Sequence, residues 1–85
     1  MGKRRKAAAL KYEQTYDAPI VTAAGVGFVA DKIIESAKEN DVPIVENEEL
    51  ADLLNNVDVN SAIPVELYEA VAEVIAFVID LDKRL

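Results

Sequence analysis

The chain of 85 residues, 52% of them apolar, is long enough for one domain with a small core. It has no cysteine and no histidine, which excludes disulfides and thiolate chemistry and removes the commonest metal ligand and general base. The formal net charge of −7 is unevenly spread: Lys3, Arg4, Arg5, Lys6 and Lys11 are five of the nine basic residues, leaving four against sixteen acidic from Tyr12 onward. An acidic body of this kind repels nucleic acid, while the basic tip suits an anionic membrane surface or an acidic partner. No apolar stretch of signal-peptide length follows the basic start, which predicts a cytosolic protein.

Residues 1–6 read as a basic, flexible start, 7–81 as a single domain and 82–85 as a tail. In the first segment, KAAALKYE, alanine and leucine favour helix, but Ala8, Leu10 and Tyr12 alternate with Ala7, Ala9 and Lys11, which predicts a strand. The short apolar run Ile20–Ala24, placed between Pro19 and Gly25, predicts a buried second strand. From Val26 the period lengthens. Val26, Val29, Ala30, Ile33, Ile34 and Ala37 share one helical face, and Asp31, Lys32, Glu35, Lys38 and Glu39 share the other. Asn40-Asp41 ends this helix, and Pro43-Ile44-Val45 predicts a third strand, parallel to the second through a right-handed crossover.

A short helix is expected over Glu48–Asn56, with Leu50, Leu53 and Leu54 inward and Glu48 and Glu49 at its positive end. A loop follows from Val57 to Ala62. The longest apolar element, Pro64–Leu81, opens on proline with Glu66 in its first turn. Its acids Glu66, Glu69, Glu73 and Asp80 form one narrow stripe and exclude a membrane span. A helix so apolar is largely buried or offers part of its surface to a partner. The expected architecture is an α/β domain with a small mixed β-sheet of about three strands surrounded by three helices, in the order β-β-α-β-α-α.

Gly25-Val26-Gly27-Phe28-Val29-Ala30 fits a G-x-G-x-x-A dinucleotide fingerprint, with Glu46 available for a ribose. Yet no residues remain for the further βαβ units of such a fold, and both glycines have structural uses: Gly25 releases the strand, and Gly27 lets the helix start close to the sheet. Glu46, Glu48, Glu49 and Asp52 lack the spacing of a calcium loop and read as an acidic helix start. No histidine or paired lysine activates Thr15, Thr22, Ser36 or Ser61. The residues themselves therefore describe a binding domain with no catalytic machinery, cofactor or metal. Two alternatives stand beside that reading: a minimal nucleotide-binding unit on Gly25–Ala30, and a self-associating domain that pairs a sheet edge or an apolar helix between copies.

The motifs ALKY (Ala9–Tyr12), AP (Ala18-Pro19), VPIVEN (Val42–Asn47) and IPVELYEAVAEVIAFV (Ile63–Val78) occur in this order over most of the chain. In this the sequence resembles the carboxyl-terminal cytoplasmic domain of the FlhB/YscU family, the switch component of flagellar and type III export. The resemblance implies a small mixed sheet wrapped by helices, and partners that are export substrates or export-gate proteins. Family members carry Asn-Pro-Thr-His just before the ALKY strand and cleave themselves between Asn and Pro. The matching positions here are Gly2, Lys3, Arg4 and Arg5, which supply neither residue, so no self-cleavage is expected at that site. With no membrane portion and no strand ahead of that motif, the chain resembles a free-standing homologue working at the cytoplasmic face of an export apparatus. The resemblance also implies an apolar patch that receives substrates, matched here by Ala18, Pro19, Ala72 and Ile75, with Ile75 where leucine is usual. Core packing is the competing explanation for these four residues.

Overall fold

The structure, a computed structural model, describes residues 5–83, with side chains described as far as Asp80. Two strands, β1 (Lys6–Lys11) and β2 (Ile20–Val26), are followed by helices α1 (Phe28–Glu39), α2 (Glu48–Leu54) and α3 (Tyr68–Lys83), with a 3-10 turn at Val65–Leu67 leading into α3. The α/β class, the first two strands and the three helices are those expected from the sequence. The strands pair antiparallel from Lys6 opposite Val26 to Lys11 opposite Ile20, with a register irregularity between Ala9 and Leu10. Alternation along KAAALK therefore prevails over its helix propensity, because a neighbouring strand satisfies the backbone. Lys6 starts β1, and its Nζ bonds the Asp52 carboxylate. Residues 1–4 and 84–85, at the expected flexible start and tail, lie outside the described residues.

β2 passes into α1 through Gly27, whose φ of 64° lies in the left-handed region that favours glycine. Its N–H donates to the Arg5 carbonyl at 2.7 Å, and its own carbonyl accepts from Asp31 at 3.0 Å. Gly25 permits a close approach of helix to strand: a Cβ there would lie 2.7 Å from Val29 Cβ. α1 ends at Asn40, whose side-chain amide donates to the Ser36 carbonyl at 2.8 Å. Asp41 follows with φ 56°, and the Val42 N–H turns back to the Ala37 carbonyl at 2.9 Å. The sheet-facing residue of α1 is Ala30, fully buried. Ile33 and Ile34 are half-buried, and Val29, expected on the inner face, is 51% exposed.

The third strand does not form. Among the described residues the sheet is two-stranded and antiparallel rather than mixed. Residues 42–47 are irregular, with Val42, Ile44 and Val45 exposed. Pro43 lacks an N–H to donate to a ladder, and a run this short cannot hold an edge by itself.

α2 is capped by Asn47, whose Oδ1 accepts the Leu50 N–H at 3.0 Å. At its other end Asn55 Nδ2 donates to the carbonyls of Ala51 at 2.9 Å and Ala7 at 3.2 Å, tying the helix to β1. Leu50 and Leu54 face the core and Leu53 turns to solvent, against the expected inward trio. Residues 60–63 close the other side of β2. Asn60 donates to the Val21 carbonyl at 2.6 Å, Val21 to Ser61 at 3.0 Å, and Ile63 to Pro19 at 3.0 Å. Ala18, Val21, Leu50, Leu54, Ile63, Leu67 and Val71 make the core where these elements meet. Pro64 is extended and stands ahead of the 3-10 turn, so the last helix proper starts later than its proline suggested. It is buried on one side only: Val71 is fully enclosed, while Tyr68, Phe77 and Ile79 are exposed, so part of its apolar surface stays open.

Candidate partner-binding groove

The exposed side of α3 and the link between β1 and β2 bound a shallow groove of about 340 Å³. The chain leaves β1 at Lys11 and turns at Glu13–Tyr16, where the Tyr16 N–H donates to the Glu13 carbonyl at 2.9 Å. It returns through Asp17-Ala18-Pro19 into β2. The Pro19 carbonyl accepts the Ile63 N–H, which fixes this return against the segment leading into α3. The proline ring itself is half-buried. Ala18 is 6% exposed and belongs to the core cluster, so it forms floor rather than rim.

From α3 the groove takes Tyr68, Ala72, Ile75, Ala76 and Ile79. The spacing of three and four residues sets all five on one helical strip. Ala72 is exposed, and its small side chain leaves the backbone open to close approach. Ile75 is half-buried and packs against the core cluster while also lining the groove. The two explanations weighed for these residues therefore divide among them. Ala18 is core, Ile75 packs on the core and lines the groove, Pro19 is half-buried at its edge, and Ala72 is exposed. All four expected patch residues border the same groove.

Sequence reasoning did not place Tyr12, Asp17, Tyr68, Ala76 or Ile79 there. Tyr68 and Ile79 extend the Ala72–Ile75 strip by one turn in each direction, a signal that was available. Tyr12 and Asp17 reach the groove only through the path of the link, which no periodicity encodes.

The glycine motif serves the backbone. Gly25 lies inside β2, the Gly27 N–H is taken by the Arg5 carbonyl, and Glu46 sits exposed in a segment that joins no strand. The crossover unit a dinucleotide would need is thus replaced by an antiparallel hairpin and a helix. No cluster of three or more carboxylates suited to a metal occurs among the described residues.

Residues 5–78 match the model of the FlhB HrpN YscU SpaS family. The chain belongs to this family. It is 48% identical over 80 residues to YlqH of Bacillus subtilis, covering 93% of this chain and 86% of that protein. The flagellar biosynthetic protein FlhB of Helicobacter pylori is 44% identical over 79 residues, which span 92% of this chain but 22% of FlhB. The fold superposes on the crystal structure of the cytoplasmic domain of FlhB from Shewanella putrefaciens with a TM-score of 0.86 and 38% identity, covering 93% of this chain and 66% of that one. Among the described residues no helix is long and apolar enough to cross a membrane.

Proposed function

We propose that this domain is a non-enzymatic component or accessory of a flagellar or type III protein export apparatus, working at its cytoplasmic face. It binds export substrates or the export gate through the groove bordered by Ala18, Pro19, Ala72 and Ile75, and in doing so influences which substrates are taken. The observation that supports this reading best is the convergence of those four residues on one open apolar surface. Self-cleavage is not part of the role, because Gly2, Lys3, Arg4 and Arg5 stand where the family's Asn-Pro-Thr-His would be.

A groove of this size buries little area, so affinity for a single peptide should be weak, about tens of micromolar or poorer. The deciding experiment measures binding of a peptide from an early export substrate to the parent and to Ala72→Asp. The added carboxylate would be desolvated under the peptide without a partner, so the variant should stay folded by circular dichroism and lose binding. A folded variant that binds like the parent removes the groove from the function. Titration with nicotinamide and flavin nucleotides tests the alternative, which predicts micromolar binding.

A further inference from the structure

Between α1 and α2 the chain crosses open surface, and every residue from Asp41 to Glu49 is exposed. The Val42 N–H is held by the Ala37 carbonyl, and Asn47 caps α2. Between these anchors, no hydrogen bond to another described residue holds the backbone of Pro43, Ile44, Val45 or Glu46. The other long connections are tied. Tyr16 bonds Glu13 within the β1–β2 link, and Asn60, Ser61 and Ile63 bond Val21, Asp58 and Pro19 ahead of α3. An endoprotease holds its substrate as an extended strand and needs those backbone groups free, so exposed, unbonded connections are nicked first. Ile44 and Val45 also present aliphatic side chains to solvent there.

We propose that residues 44–46 are a processing site for an endoprotease that accepts aliphatic side chains, and that the cut domain stays assembled as two pieces. Water adds across the Ile44–Val45 or the Val45–Glu46 amide, leaving a carboxylate on one piece and an amine on the other. The Val42–Pro43 bond is spared, because a proline nitrogen has no N–H for the protease to bind. The first piece carries β1, β2 and α1, the second α2 and α3. They share one core, to which the first gives Val21 and the second Leu50, Leu54 and Val71. Bonds from Val21 to Asn60 and Ser61, from Asn55 to Ala7 and from Lys6 to Asp52 also join them. The groove straddles the same joint, with Ala18 and Pro19 on one piece and Ala72 and Ile75 on the other. If that groove is the docking site proposed above, cutting makes docking depend on two pieces staying together.

The test digests the whole chain with elastase, which cuts after small aliphatic residues, and follows the masses formed with time. The first cut should fall after Ile44 or Val45. The two pieces should then elute together in gel filtration, with the circular dichroism of the intact chain. Two variants separate an open site from one reached by unfolding. Ile44→Asp combined with Val45→Asp alters only exposed side chains, and should slow the cut about tenfold or more, because a carboxylate would enter the aliphatic pocket unpaired. Val71→Ala loosens the core and should leave the rate within about twofold, because a site open in the native state needs no unfolding. A first cut elsewhere, or resistance at a dose that digests the urea-unfolded chain, overturns the site. Acceleration by Val71→Ala in proportion to its lost stability overturns it too, since the cut would then report global opening. Pieces that separate in gel filtration overturn the two-piece domain. The digestion is read with no peptide docked, so its failure and a failure of the groove reading are told apart.

Discussion

Asn47 shows how much of the local structure one side chain can hold. It closes the irregular segment 42–47 and opens α2 by accepting the Leu50 N–H. Leu50 is a core residue, so the cap also fixes where the core meets that helix. Asn47→Ala should cost about 1 kcal/mol in urea unfolding, and Asn47→Asp should recover most of it, because a carboxylate accepts the same bond and suits the helix dipole. Equal losses in the two variants would mean that the amide is needed for something other than capping. Gly25 and Gly27 are the complementary case at this scale. Their spacing is that of a phosphate loop, yet Gly25 makes room for Val29 and Gly27 supplies a positive φ. Short motifs are legible as backbone requirements before they are legible as ligand sites.

At the scale of elements, periodicity located β1, β2 and the helices because each alternation or stripe meets a real neighbour. It failed where the neighbour is missing. Ile44 and Val45 look like strand residues, but no strand pairs with them, and they stay at the surface. In α3 the apolar excess was legible but not which strip would stay open: the described residues offer too little other surface to cover a helix apolar on most sides, so one strip is left to border the groove. The two faces of this arrangement should separate in stability. Val71→Ala empties a fully enclosed position and should cost about 1.5–3 kcal/mol. Ile33→Ala and Ile34→Ala remove half-buried side chains and should fall at or below the lower end of the roughly 2–5 kcal/mol seen for buried isoleucine. Comparing urea midpoints at constant m checks the ranking. Isoleucine losses equal to or above that of Val71 would place the main core under α1 rather than α3.

At the scale of the whole molecule, β2 is enclosed on both flanks. β1 pairs with one side, and residues 60–63 bond the other through Val21 and Pro19. Val21 is the centre of this arrangement: its side chain has no exposure, and its N–H and carbonyl are both held by the segment leading to α3. Exposing that amide to solvent deuterons requires the 60–63 segment to leave, which means separating α3 from the sheet and dissolving the core. Val21 should therefore exchange among the slowest amides, with an opening free energy equal to that of global unfolding, whereas the amides of 42–47 should exchange almost freely. Deuterium labelling followed by NMR checks it. The groove is built on the same joint, since Ala18 and Pro19 immediately precede β2 and Ala72 and Ile75 follow on α3. An occupant that bridges the two slows the exchange of Val21 by the factor 1 + [L]/Kd, so even a fleeting guest leaves its mark on an amide buried beneath the floor it rests on.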